Sequence, residues 1–362
     1  MFTKGNLMTK QRELILAVET SCDETSVAVV EDGTTILSNV VSSQIETHRK
    51  FGGVVPEIAS RKHVESITRI IEEAVREAGV RPDELSAVAV TQGPGLVGSL
   101  LVGVVAAKAL AYALDVPLIG VHHIAGHIYA NALVHPMEYP LMALVASGGH
   151  TELVYVEAEG RFRIIGRTRD DAVGEAYDKV ARAMGLPYPG GPHVDKLAQQ
   201  ADEEIELPRA WLEDDSYDFS FSGVKSAVLA AVNQAKMKGD VINKAGLALG
   251  FQNSAIDVLV TKTMRAAKEY AVKQVLLCGG VAANKGLRTA LSDACEKSGV
   301  PLLVPPMSLC TDNAAMIAAA GYLKWKRGVR TGLDMKAEPL FSLEGWSVEE
   351  VGGAQSVVQK GY

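Results

Sequence analysis

The feature that most restricts the fold of this chain is an internal repeat. Residues 14–18 read as an apolar strand, followed by the polar turn ETSCDET, a second strand at 27–30 and, after an Asp32-Gly33 turn, a third at 36–41. A helix over 60–78 carries Val64, Ile67, Ile70, Ile71 and Val75 at helical spacing, and a buried strand at 87–90 runs into the turn GPGLVG and a second helix at 96–114. The same order returns later: strands at 141–146, 153–156 and 162–165 around the turn SGGHTE, then a strand at 275–278 entering GGVAAN and a helix. A chain that repeats a β-β-β-α-β unit folds as two like lobes. The expectation is therefore an α/β fold with units at 12–138 and 139–335 and a tail at 336–362. Helices near 174–184, 195–201, 223–236 and 245–270 are insertions in the second unit. The helix at 96–114 is nearly apolar all round, which predicts a central, closely packed position.

Two lobes that present glycine turns to each other form a cleft whose backbone N–H groups suit phosphate, so a nucleotide is the expected occupant. Gly93, Gly95 and Gly98 match G-x-G-x-x-G by letter, but they follow the fourth strand and lack an acidic residue at the ribose distance. A dinucleotide fold is therefore disfavoured.

With 362 residues, 48% hydrophobic and 22% charged, the chain has the composition of a globular enzyme with two full cores. Cys22, Cys278, Cys295 and Cys310 form no C-x-x-C pair, which argues against a zinc ribbon or a disulfide framework and for a reducing cytoplasm. The first residues have no apolar core before Leu14, so no signal peptide, anchor or membrane association is expected; Met8 offers a second start. A net charge of −7 does not announce a nucleic-acid binder, so any polynucleotide contact must be local or shared with a partner. The candidate patches are Arg61 with Lys62, Arg167 with Arg169, and Lys324, Lys326, Arg327 and Arg330, each of which also reads as a solvated face.

His123 and His127, in HHIAGH, stand at i and i+4, which on a helix places two imidazoles on one face as a metal requires. The alternative is a hydrogen-bonded patch on a half-buried helix. Ile124 stands where zinc peptidases have Glu, which removes the general base of peptide hydrolysis. Asp312, in CTDNAAMIAAAG, reads either as an oxygen ligand or, with Thr311, as a helix N-cap. Two imidazoles and one carboxylate with open positions suit Fe(II) or Zn(II). VASGGH is a phosphate or carboxylate cradle, or an ordinary hairpin turn. Gly190, Gly191 and Asp195 place a rigid turn before a helix whose carboxylate could meet ribose hydroxyls; Asp178 could do the same or face solvent. Asn284 could contact a base or ribose, or cap the next helix.

The segments ETSCDETSVAVV, GGVVPEIASRKH, GPGLVGSLLVG, HHIAGH, SGGHTEL, GEAYDK, YPGGP, FSFSG, GGVAAN and CTDNAAMIA, in order from about residue 14 to 327, resemble the signatures of the tRNA N6-adenosine threonylcarbamoyltransferases. These are the bacterial TsaD proteins, once mislabelled O-sialoglycoprotein endopeptidases. The resemblance implies the duplicated actin-like fold of sugar kinases and heat-shock ATPases. It also implies transfer of threonylcarbamoyl from threonylcarbamoyl-AMP to N6 of adenosine 37 in tRNAs that read codons beginning with A. Carried over position by position, it implies metal ligation by His123, His127 and Asp312, with one Fe(II) per subunit or else Zn(II). Substrate contacts would come from Val145, Ala146, Ser147, Gly148, Gly149, Asp178, Gly191, Asp195 and Asn284. Archaeal relatives have a Tyr at the position of Val145 that joins the metal; water or Ser147 would take that place here. The implied partners are tRNA, a dimerising TsaB-like paralogue, with the helix at 96–114 a candidate interface, and a TsaE-like ATPase. A kinase or ATPase of the same fold, and then a metallopeptidase, are the competing readings.

Overall fold

The computed structural model describes residues 12–346 and 348. Its first half runs β1 (Leu14–Glu19), β2 (Glu24–Glu31), β3 (Thr35–Ser43), α1 (Ile45–Arg49), α2 (Pro56–Ala78), β4 (Ala87–Gly93), α3 (Val97–Leu114), β5 (Leu118–His122) and α4 (His123–Tyr129). The second runs β6 (Leu141–Ala146), β7 (Thr151–Ala158), β8 (Arg161–Arg167), α5 (Val173–Ala183), α6 (Gly190–Ala198), α7 (Ser222–Lys238), α8 (Lys244–Glu269), β9 (Gln274–Cys278), α9 (Lys285–Ser298), β10 (Leu302–Leu303), α10 (Met307–Cys310) and α11 (Ala314–Lys326).

The repeat is real at the level of hydrogen bonding. The two sheets have orders β3-β2-β1-β4-β5 and β8-β7-β6-β9-β10, so each is an antiparallel meander continued by two parallel strands. Ile15 pairs with Ala87 in one and Leu141 with Gln274 in the other. Strand β6 throughout, and β1 up to Glu19, are apolar because both faces of each sheet are covered. On one face of the first sheet, Leu14, Leu16, Val18 and Val90 meet Ile67 and Ile70 of α2 and Val104 and Ala107 of α3. On the other, Ile15, Ala17, Ala89 and Val121 share a core with α4, α11 and the inner face of the second sheet, including Val145, Val154 and Leu276. The second sheet's outer face carries the inserted helices.

Helix α3 departs from its predicted place. Leu100, Val104, Ala107 and Ala111 face the sheet, but Leu101, Val105 (62% exposed) and Tyr112 (76%) face outward, and Val64 of α2 is exposed as well. Only one face of the helix meets the sheet, so an all-round apolar sequence leaves an uncovered stripe. By length and composition alone α3 could cross a membrane; its packed face is that of a core helix.

Helix α11 returns from the second half to cover the inner face of the first sheet. Gly321 makes this close approach possible, since a Cβ there would lie 2.8 Å from that of Ala89. The following segment straps the two halves together. Gly120 N donates to Thr331 Oγ1, Glu338 N to Gln92 O, and the Trp346 ring packs on Phe162 of β8 while Trp346 Nε1 donates to Gly120 O. The remainder of the predicted tail, and residues 1–11, lie outside the described residues.

Candidate metal centre and substrate cleft

Strand β5 runs directly into α4, and His122 marks the change. Its Nδ1 accepts from Ile124 N as the helix cap, and its Nε2 donates to Phe341 O. With the helix start pinned, His123 and His127 fall on one face, their ring centroids 4.7 Å apart. The α-helix is shorter than the apolar run predicts: it ends at Tyr129 and tightens into a 3-10 turn over Ala130–Leu133. Gly126 faces α11, where a Cβ would lie 2.7 Å from Ile317 Cδ1, so this glycine lets the two helices meet.

That contact delivers Asp312. The cap of α11 is its neighbour Asn313, whose side chain accepts from Met316 N, while Ala314 N and Ala315 N donate to Ser26 Oγ and Asn39 Oδ1. Neither Asp312 nor Thr311 is used as the cap. Asp312 Oδ1 lies 3.1 Å from His127 Nε2 and 3.6 Å from His123 Nε2. The three donor groups all fall within 4.8 Å of one another, two of them buried.

The donor set fits a metal. Both ring nitrogens of His127 are buried without a hydrogen bond: Nε2 is close to Asp312 but not aligned to donate to it, so lone pair and carboxylate face a common point. His123 Nδ1 is held 3.2 Å from Glu19 Oε2, with Ser21 Oγ also at 3.2 Å, which leaves Nε2 for a ligand role. Glu19 is fully buried and was not identified from the sequence; its place at the last residue of β1, beside a polar turn, was the available signal. Burial opposes charge on His123, yet Asp312 and Glu19 hold it up at about 9, and burial of Asp312 is likewise outweighed by His123 and His127, which keep it well below the carboxylate range. The pocket thus stabilises positive charge, supplied by protons or by a cation.

The turn SGGH lies beside this centre. Ser147 N donates to His150 O and His150 N to Ser147 Oγ. The His150 ring sits 6.3 Å from that of His123, with burial pushing it down to about 4; it too was missed. Gly148 and Gly149 are exposed, with open space where side chains would stand. Val145 and Ala146 are buried in β6, their backbones paired with Glu152 and Thr151, and Val145 belongs to the core that holds Ile124 of α4. Gly174 at the start of α5 packs on the turn, its N donating to Ser147 O.

The ribose-side candidates come together around α6. Asp178 Oδ1 accepts from Gly190 N at 2.6 Å, and burial raises its pKa. Gly190 and Gly191 form the first turn of α6 itself, where a loop ahead of the helix was expected. Asp195 Oδ2 accepts from Lys285 N, while its Oδ1 is buried with no partner. Asn284 caps α9 through Leu287 N and donates to Gln252 Oε1, so its side chain is largely committed. Gly279 has φ +86, and a Cβ there would lie 2.4 Å from Ala146 O.

The basic patches expected from sequence are largely neutralised. Arg61 pairs with Glu57, Lys62 with Glu65, Arg169 with Glu213 and Asp218, and Arg327 with Glu159; Lys324 is buried and Arg330 stacks on Trp325. All four cysteines are free.

Comparison with known proteins identifies the fold and the family. The chain is similar in fold, at 14% identity, to HypF of T. kodakarensis (TM-score 0.61, covering 89% of this chain and 49% of that one). It is similar, at 16% identity, to component A of the (R)-2-hydroxyglutaryl-CoA dehydratase of Acidaminococcus fermentans (0.52, 87% and 99%). The fold is actin-like. A family profile described as tRNA N6-adenosine threonylcarbamoyltransferase matches residues 35–319. Proteins of that description from Halalkalibacterium halodurans and Geobacillus thermodenitrificans are each 64% identical, covering 94% and 92% of this chain and 99% and 98% of their own lengths. The chain therefore belongs to the TsaD family of tRNA N6-adenosine threonylcarbamoyltransferases, enzymes that form N6-threonylcarbamoyladenosine in tRNA.

Proposed function

We propose that the protein transfers the threonylcarbamoyl group from threonylcarbamoyl-AMP to N6 of adenosine 37 in tRNAs reading codons that begin with A, and that a divalent metal on His123, His127 and Asp312 takes part. The observation that carries the reading is the buried donor set with its unpartnered His127, set beside a glycine-lined cleft. Its two imidazoles and one carboxylate suit Fe(II), one per subunit, and also Zn(II); metal analysis of the purified protein distinguishes them. When bound, such a cation supplies Lewis-acid polarisation of a donor oxygen.

The chain's own residues supply the rest. Backbone N–H groups of Gly148 and Gly149 and the Ser147 hydroxyl, at the end of β6 where Val145 and Ala146 set the strand, hold the adenylate phosphate. The N-terminus of α5 lies against them and favours negative charge. Asp195 Oδ1 accepts from a ribose hydroxyl, which completes its unfilled valence. Asp178 and Gly191 fix that wall, and Asn284 offers the remaining lone pair of Oδ1. The exocyclic amine attacks the carbamoyl carbon, the C–O bond to phosphate breaks, AMP leaves and the N6 proton passes to solvent. No cysteine nucleophile is needed: burial and Asp23 push the Cys22 thiol well up.

The exposed stripe of Val97, Leu101 and Val105 on α3, with Val64 of α2, is the surface proposed for a TsaB-like paralogue, with a TsaE-like ATPase as the further partner. Free cysteines fit a cytoplasmic setting. His123→Ala removes metal binding and transfer together; full metal content with normal turnover in that variant refutes the assignment.

A further inference from the structure

The loop that follows α1 carries Lys50, Phe51, Gly52 and Gly53 from the first half of the molecule to α5 and the turn ahead of α6. Gly52 O accepts from Arg182 Nη2 of α5, and Arg49 Nε donates to Tyr188 O ahead of α6, so the loop is fastened to the wall that holds Asp178 and Gly190. Arg182 stands one helical turn beyond Asp178. Phe51 is held on this lip by the hydrogen bond from its N to His48 O, yet the residue is 56% exposed. A large aromatic ring kept in water on a tethered loop beside a substrate cleft has no packing reason to be there.

The charges on the same side are equally unbalanced. Arg182, Lys236 and Lys244 converge on a cavity of about 270 Å³ whose lining includes a single acid, Asp240. Lys236 and Lys244 are exposed, and among the described residues neither has an ion pair, whereas Arg61, Lys62, Arg169 and Arg327 are each matched to a carboxylate. Lys236 in the last turn of α7 and Arg182 in that of α5 also complement helix dipoles, but Lys244 opens α8, and dipoles do not require cations from three elements to share one cavity.

We propose that this lip is the RNA landing surface: Phe51 stacks on an unpaired base next to the target adenosine, and Lys236, Lys244 and Lys50 take the adjoining phosphates. Single-stranded RNA is read by stacking on exposed aromatics, and phosphates are gripped by unpaired cations. In a chain with net charge −7, the contact this protein itself makes with a polyanion has to come from such a local patch. The inference rests on tRNA as substrate and deepens that reading.

The test uses the full chain with its partner proteins and an unmodified tRNA transcript, measured both by steady-state transfer and by equilibrium binding between about 50 and 200 mM salt, over which the Debye length falls about twofold. Phe51→Ala raises KM for tRNA about 10-fold with kcat near wild type, and Phe51→Trp restores KM. Lys236→Gln with Lys244→Gln weakens binding and makes the slope of log K against log salt shallower by about 1.5. Lys297→Gln, an exposed lysine at the far end of α9, changes neither. Affinities within about twofold of wild type and an unchanged slope for both variants overturn the proposal. So does loss of binding to a partner protein with tRNA affinity intact, which makes the face a protein interface. Failure of the wild type to form product refutes the functional reading instead, while the binding arm still decides this one.

Discussion

Glu19→Gln is the substitution that most directly probes how the metal centre is built. Glu19 Oε1 accepts from Ser21 N at 2.5 Å, and Oε2 accepts from Thr91 Oγ1 at 2.5 Å and faces His123 Nδ1 at 3.2 Å. Two of the three partners, Ser21 N and His123 Nδ1–H, are donors that cannot turn round without changing the backbone or the tautomer. A carboxylate satisfies all three; an amide must aim its NH2 at one side. Aimed at His123, it favours the tautomer with a bare Nδ1 and a protonated Nε2, which is the nitrogen that faces Asp312. Aimed at Ser21, it leaves a buried donor unpaired at a cost of about 1–3 kcal/mol. Loss of such an outer partner lowers metal affinity about 10- to 100-fold, equivalent to about 1.4–2.7 kcal/mol. Competition with a chromogenic chelator for Fe(II) or Zn(II) measures the first effect, and urea unfolding of the metal-free protein the second. A variant that holds metal within about twofold of wild type refutes the claim that Glu19 sets the His123 tautomer.

Three further outcomes follow from the packing. Lys324 is buried, donates to Gly120 O and lies over the Trp346 ring, and burial lowers its pKa from 10.5 to about 8. Between those values the unfolded chain binds more protons, so stability rises with pH, and the full penalty stands below pH 8. Lys324→Met therefore raises unfolding free energy by about 2–3 kcal/mol at pH 7, a gain that fades toward pH 10.5 in paired urea titrations, because Trp346 Nε1 keeps Gly120 O bonded. Gly321→Ala pushes α11 off β4 at the 2.8 Å contact, costs about 1–3 kcal/mol and weakens metal binding by displacing Asp312; urea unfolding and chelator competition on one sample test the two effects together. Leu101→Lys with Val105→Lys leaves folding within about 0.5 kcal/mol and metal content unchanged but abolishes the complex with the paralogue in size-exclusion chromatography.

What the sequence makes legible is what repeats or alternates. The two meanders and their parallel fourth strands follow from apolar runs and turn glycines, and β6 matches its predicted limits. Strand β5 was not read because its five residues run straight into the histidines, and β10 is only two residues long. The candidate ligand triad is visible as residue types and spacing, since i and i+4 needs only a helix. Glu19 and His150 are not, because their value lies in contacts across 104 and 27 positions of chain that no local pattern encodes. The same limit explains α3: an apolar sequence reports that a surface shuns water, not whether this chain or another covers it. For Asn284 and Asp312 the sequence leaves a cap and a ligand alike open, and the structure identifies the caps as Asn313 for α11 and Asn284 for α9.

The return of α11 to the first sheet has a consequence for biosynthesis. Strand β5 leaves the ribosome at residue 122, but the helix that covers the inner face of its sheet is complete only at residue 326. At ordinary elongation rates the interval is about 10–40 s, during which Ile15, Ala17, Ala89 and Ile119 have no α11 beneath them. The nascent first lobe is therefore a client for holding factors, and the last side chain of the candidate metal triad to emerge, Asp312, arrives just ahead of the helix that ends this exposure.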